Sequence, residues 1–456
     1  MSREVLFVSG GWEHGPIRRN QNANALQAVD YVEGSHGYAA GAGGFAPEKT
    51  YLGSGKFSMK ESPAGFTSIL SAVSAHVFAR TKNWVFWCGR VAIVSILQDP
   101  GNDSYYSVAR CAKYLNKTGA GDYLGLVFLT ATQTTYSFMP MRFNEDGSFD
   151  TALAGAVVGP FTMGDTFHWW VMGLNTVSGS VTLWIDGTPG SAIPAGTVQT
   201  TGHILHDNRF VAGLKGDKSS LVRQDCICSF GGDSDADLPP SSLRQIAYQP
   251  TGAMPSYFNW TGTYCDVDDE NDTTVGDAST DANVITPNAT DGYAVFSFPA
   301  LASEPSQTAT VEAVLLIWEQ VGDGTYSSTA HPSYGSHKPV ASLASVAPID
   351  YSSDYGSGDG SQCTTPGHTW FARLFQQTPE ASARDWTPAL FDTLKAGLKA
   401  VNATKTVGEL YVIVLGAYVA RPTATTCPTY GEWIAARQMG DDPKRTRPEV
   451  VPYHHH

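Results

Sequence analysis

Two aspartate runs carry the densest potential chemistry in the chain. Asp233-Ser234-Asp235-Ala236-Asp237 sets three carboxylates at alternate positions, the opening of a D-x-D-x-D calcium loop, and hard cations need several oxygens from one short stretch. Leu238 stands where that loop has its turn glycine, and Arg244 where it has its closing Glu. The second run, Asp266-Val267-Asp268-Asp269-Glu270-Asn271-Asp272, is denser and equally irregular. Asp233, Asp235, Asp237, Asp266 and Asp268 are therefore candidate calcium ligands, against the alternative of solvated acidic loops; no other cofactor is expected. A second chemistry is stacking on sugar rings. Tyr326, Tyr334, Tyr351 and Tyr355 lie among Ser, Gly and Pro, where turns expose aromatic faces, and are the candidate ligand-binding residues. Tyr with Ser and Gly is also the composition of adaptable protein-binding loops.

Catalytic patterns are missing. The sequence has no G-x-S-x-G, H-E-x-x-H or G-x-x-x-x-G-K-[ST], and no G-x-G-x-x-G between a strand and a helix. Nor does a strand-like segment carry the E-x-D-x-x-E spacing that sets two carboxylates about one glycosidic bond. His203 and His206 are three apart in strand text, a spacing better suited to a helix, while His331, His337 and His368 are scattered around a polar stretch. Cys226 and Cys228 form C-x-C without a second pair at zinc spacing. Seven cysteines over 456 residues do not suggest a disulfide framework; Cys363 and Cys427 flank one core, and whether they pair in an oxidising medium is left open by the sequence. No catalytic residue is assigned, and the chain is expected not to be an enzyme.

The elements that must position these groups are strands. Phe167-His168-Trp169-Trp170-Val171-Met172-Gly173-Leu174 and Val181-Thr182-Leu183-Trp184-Ile185 flank a Gly/Ser/Asn turn, and Asp186-Gly187 closes the second run; this is a β-hairpin followed by another tight turn. Trp84, Phe86, Trp170 and Trp184 sit in strand alternation and are expected in the core. Similar runs recur to about Phe230, so residues 1–232 read as a β-sandwich of jelly-roll type. Residues 233–288 are rich in Asp, Ser, Thr and Gly and read as a partly ordered connector, in which Tyr257, Phe258 and Trp260 should dock. Residues 289–421 form a second β-rich unit. Within it Thr387 is a credible N-cap, Pro388 fits the first helical position, and Leu390, Phe391, Leu394, Leu398 and Val401 recur at helical spacing. A helix near 388–401 is expected, with Glu409–Leu415 as the closing strand. Residues 422–456 are a tail ending in three histidines that look like an affinity tag.

Composition agrees: 42% hydrophobic and 11% aromatic residues with only 16% charged ones fit a mostly β protein with real cores. A net charge of -14 repels a phosphate backbone, so nucleic acid is not an expected partner. No apolar run reaches the length needed to cross a bilayer, and Met1–Val8 lacks the pattern of a secretory signal, so neither membrane insertion nor export by that route is expected.

The Trp/Val hairpin with its terminal Asp-Gly resembles the central hairpin of laminin-G and concanavalin A-like jelly rolls. The order of that unit, an Asp-rich connector, Thr290-Asp291-Gly292-Tyr293-Ala294-Val295-Phe296-Ser297-Phe298, and then Thr378-Pro379-Glu380 through Trp386-Thr387 to Ala396-Gly397-Leu398-Lys399, is similar to a group of structural proteins of tailed bacteriophages. The Ser/Tyr/Gly-rich stretch between Gly322 and Gly367 departs from that pattern. The resemblance implies a non-enzymatic virion protein on the surface of tail or head, made in the host cytoplasm. Its expected partners are other virion proteins, further copies of itself in a homo-oligomer, and a host-surface glycan. The alternatives are a polysaccharide-acting enzyme or soluble lectin on a jelly-roll scaffold, and a ligand-free decoration protein.

Overall fold

The computed structural model describes residues 3–8, 27–28, 38–39, 45–49, 57–61, 82–96, 105–115, 123–129, 134–143, 149–193, 203–209, 220–267, 284–301, 308–322, 337–344, 346–350, 367–400 and 406–419. The protein is mostly β, and its large sheets stack in four layers. The first layer runs in the order Phe149–Ala154, Thr135–Phe143, Tyr123–Leu129, Tyr105–Leu115 and His203–Arg209, with Val158–Thr162 also on Thr135–Phe143. The second runs Thr188–Ile193, Val181–Ile185, His168–Asn175, Trp84–Ile96, Ser220–Gly232, Phe57–Glu61 and Phe45–Lys49, and Glu4–Val8 adds to Ser220–Gly232. The third contains Leu243–Tyr248, Thr406–Val419, Thr308–Gly322 and Gly367–Phe375, and the fourth Gly252–Phe258, Tyr293–Ser297, Leu394–Ala400, His337–Leu343 and Ile349–Asp350.

The hairpin forms as its sequence predicts. Trp170 pairs with Ile185 and Leu174 with Val181, and Asn175 Oδ1 accepts from the N–H groups of Val177 and Ser178, both at 2.9 Å. The following turn needs left-handed backbone at both central residues, which Asp186 (φ 52°) and Gly187 (φ 78°) supply. Gly173 has a packing role as well: a Cβ there would lie 2.9 Å from the Trp184 ring and 3.0 Å from Phe86. Trp84 stacks on Phe86 with centroids 5.6 Å apart, and Phe86, Trp170 and Trp184 are buried as expected.

The middle layers share a core. Phe86, Cys88, Trp169, Val171, Cys228 and Phe230 of the second layer pack with Leu243, Ala313, Leu315, Ile317, Leu374 and Leu415 of the third. Alternation explains how: the second layer is apolar on both faces, so it needs a neighbour on each side. Polar ties reinforce the contact. Arg90 donates to the carbonyls of Ser241 and Leu243 while lying over the Trp169 ring, and Arg3 bridges Glu312 and the Leu238 carbonyl. The third and fourth layers enclose a separate core containing Trp318, Phe296, Phe391, Trp386, Trp260 and Leu398.

Two expectations need correction. The helix near 388–401 is a single turn, Pro388–Phe391, and Leu394–Ala400 is a strand between Tyr293–Ser297 and His337–Leu343. The N-cap itself holds, with Thr387 Oγ1 accepting from Leu390 N at 3.2 Å. Leu394 and Leu398, four apart, satisfy period two as well as helical spacing, and Ala396 and Ala400 complete the strand's core face. Val401 lies outside the described residues. Second, residues 233–288 do more than connect: Leu243–Tyr248 and Gly252–Phe258 are strands of the third and fourth layers. Trp260 docks in the core there, with Phe258 packed against it. The Glu409–Leu415 strand is present within Thr406–Val419, and residues 422–456 lie outside the described residues.

Candidate functional site

The described aspartates of the two runs lie at two short turns. Asp237 is buried, and its Oδ2 accepts from Asp233 N at 2.8 Å and Ser234 N at 3.2 Å, closing the 3-10 turn Asp235–Asp237. Asp233 Oδ2 instead meets Lys82 Nζ at 2.9 Å. Asp266 Oδ2 accepts from Thr263 N at 2.6 Å in a second 3-10 turn. The Asp237 and Asp266 carboxylates, by accepting from backbone N–H groups, close their own turns. Among the described residues no group of three or more His, Cys, Asp or Glu side chains is arranged to hold a metal. Asp268, Tyr326, Tyr334, Tyr351 and Tyr355 lie outside the described residues. His337 is buried against the Trp260 ring, centroids 5.3 Å apart.

One titratable pair stands at the end of the first sandwich. His168 Nδ1 and Asp186 Oδ2 lie 2.8 Å apart, and Asp186 Oδ1 accepts from Trp169 N at 2.8 Å. The imidazole packs on Phe161 at 4.3 Å and edges toward Tyr136 and Phe138. Burial works to raise the Asp186 pKa, but the bonds from His168 and Trp169 N–H, with the charge of Arg90, outweigh it and leave the carboxyl below its ordinary value. Burial, with the Asp186 charge nearby, pushes the Tyr136 hydroxyl well above its ordinary pKa, so at neutral pH it is no base. The group fastens the turn at Asp186 to the start of the His168–Asn175 strand.

A different surface gathers binding chemistry on the fourth layer. Sheet register puts Tyr293 opposite Lys399, and Tyr257 meets Tyr293 edge to face at 5.8 Å. Lys399 Nζ lies 2.7 Å from Asp350 Oδ2, 3.3 Å from Asp291 Oδ1 and 5.2 Å from the Tyr293 ring centroid. The Tyr293 hydroxyl donates to Asp350 Oδ1 at 3.1 Å. These bonds, that with Asp350 foremost, raise the Lys399 pKa, so it stays charged. Below it, Asn259 Oδ1 accepts from Tyr293 N at 2.7 Å, and Asn288 donates to the Asn259 carbonyl while accepting from Thr261. Asp291, in left-handed backbone at φ 65°, is largely exposed, and both tyrosines are half-buried. The patch thus offers aromatic edges, carboxylate acceptors and a fixed ammonium, the groups that bind hydroxyl-rich ligands. Its residues come from separate strands and turns, and no local motif joins them; only sheet register does.

No protein-family model matches the sequence, and no curated protein matches it. Solved structures give partial likenesses. "Cellulose induced protein, Cip1" aligns over 41% of this chain and 84% of its own at 16% identity and a TM-score of 0.28. An endo-1,3-beta-glucanase from Streptomyces sioyaensis aligns over 51% and 98% at 11% identity and 0.27. The alginate lyase Aly36B aligns over 38% and 80% at 14% identity and 0.27. Scores of this size do not establish a shared fold.

Proposed function

We propose that the chain is a non-enzymatic glycan-contacting protein of a tailed-bacteriophage particle, in which layered β-sheets carry the Tyr257–Tyr293–Lys399–Asp350–Asp291 patch. That patch is the observation supporting the glycan contact, because its polar groups are held by one another and need no rearrangement to meet a sugar. One ammonium against two carboxylates leaves it net negative, which favours neutral or amino sugars over acidic ones. The particle assignment rests on the sequence resemblance. Many copies on one virion would turn weak contacts into useful avidity.

Calorimetry with oligosaccharides from candidate host envelopes tests the contact. Binding that falls about tenfold in Tyr257→Ala or Lys399→Met, roughly 1.4 kcal/mol, is expected. Binding that survives both changes rejects the patch, and no binding to any saccharide favours a ligand-free decoration protein. Immunogold labelling of intact particles tests location: labelled tails or heads are expected, and label-free particles shift the weight to a soluble lectin. Among the described residues, the His168–Asp186 pair favours a polysaccharide-acting enzyme. Release of shortened chains from a polysaccharide, abolished by His168→Ala, would establish that alternative.

A further inference from the structure

The second and third layers enclose three thiols, Cys88, Cys226 and Cys228. Cys88 Sγ and Cys228 Sγ are 3.3 Å apart, and Cys228 Sγ also approaches the Cys226 carbonyl at 3.6 Å. Their meeting depends on an irregularity in the Ser220–Gly232 strand. Asp225 pairs with Arg90 and Cys228 with Cys88, so three steps on one strand match two on the other. Without the extra residue Ile227 would stand opposite Cys88. The insertion falls at Cys226, whose φ of 49° is left-handed backbone that a cysteine rarely adopts. A locally unfavourable conformation therefore sets two thiols side by side at the centre of the contact between the units.

We propose that Cys88 and Cys228 are a cross-strand modification site that a hydroperoxide oxidises to a disulfide, fastening the Trp84–Ile96 and Ser220–Gly232 strands together. Directly opposed residues of antiparallel strands have Cα atoms about 4.5–5.5 Å apart, within the roughly 4.4–6.8 Å that a disulfide spans. One thiolate attacks the peroxide oxygen, giving a sulfenic acid and hydroxide. The second thiol then attacks that sulfur, and water leaves. In sum two thiols and one hydrogen peroxide give a disulfide and two waters, sulfur being oxidised and peroxide oxygen reduced.

Burial governs when this happens. Both sulfurs are fully enclosed, and burial foremost raises the Cys228 thiol pKa well above its ordinary value, so thiolate is scarce while the layers are closed. The third layer, through Leu315, Ile317 and Leu415, covers the thiols. The bond is therefore expected to form when that contact opens, during folding or transient separation, and to persist after closure. Cys226, two positions along the strand from Cys228, is the built-in competitor.

The test uses the full chain, reduced, treated with hydrogen peroxide with and without urea below the unfolding transition, then alkylated and mapped without reduction. A linked pair of peptides carrying Cys88 and Cys228, formed at least several-fold faster in urea, is expected. It should vanish in Cys88→Ala and persist in Cys226→Ala, with circular dichroism verifying that each variant folds. Leu315→Ala, which thins the cover, should speed the reaction without urea. Complete alkylation of both thiols after peroxide under all conditions would overturn the proposal. So would a Cys226–Cys228 or Cys88–Cys226 link as the main product, and equal rates with and without urea would overturn the gating.

Discussion

Asp186 does three things at once, and they separate by substitution. It holds left-handed backbone, it satisfies the Trp169 N–H, and it faces His168. Asp186→Asn keeps the first, because Asn tolerates this backbone, and retains an acceptor for the second. Asp186→Ala loses all three and leaves an N–H without its partner beside a buried indole. The expected cost in urea denaturation is about 2 kcal/mol for Ala and less than half of that for Asn. The lowered carboxyl pKa adds a pH signature with a definite sign. The folded protein binds fewer protons at this site than the unfolded chain between the folded and unfolded pKa values. The stability from this group is therefore present above the unfolded value and is lost as pH falls through the folded one. In Asp186→Asn the acid limb of the stability profile should flatten by this one group; an unchanged limb would mean that the carboxylate is not held by these partners.

At the scale of elements, Leu394–Ala400 shows where sequence pattern stops being decisive. The leucines fit either period, and what selects the strand is a place between two partners, which no local propensity reports. Gly397 is the residue that permits the fit: a Cβ would fall 1.9 Å from the Ala294 carbonyl oxygen, against backbone that cannot swing aside. Gly397→Ala should destabilise the protein by more than about 3 kcal/mol or prevent folding, measured by denaturant titration; a mild effect would show that these strands have room to separate. The hairpin at His168–Ile185 was legible because turn residues and alternation lie in one short stretch. At Asp237 and Asp266 a calcium-loop pattern and a capping box share residues: Ser234 to Asp237 and Thr263 to Asp266 have capping-box spacing, and a carboxylate reaching back to an N–H uses the same side chain as one reaching for a cation. The Tyr257 to Lys399 patch had no local signature, since pairing across strands distant in sequence assembles it.

For the whole molecule, the shared core between the second and third layers decides whether the chain is two linked units or one cooperative body. Trp169, Val171, Phe230, Leu315, Ile317 and Leu415 would all be exposed to water by separation, a cost that keeps the open state rare and joins the two units in one unfolding transition. The amino-terminal strand strengthens this coupling: Glu4–Val8 pairs in the second layer, Gln376 donates to the Val5 carbonyl at 2.8 Å, and Arg3 reaches Glu312 in the third. Calorimetry should therefore give one transition that includes both sandwiches, and two separable transitions would contradict the shared core. The Arg3–Glu312 pair tests the coupling at a single point. The Glu312 side chain is 6% exposed, so Arg3→Ala leaves a nearly enclosed carboxylate without its cation, at an expected loss of about 3–5 kcal/mol. Replacing both, Arg3→Met with Glu312→Leu, removes the charge and the need for its partner together and should recover most of that loss. If the double variant is as unstable as Arg3→Ala alone, the loss comes from removing the Arg3 and Glu312 interactions themselves rather than from an unpaired carboxylate, and the ion pair is itself part of the joint between the units.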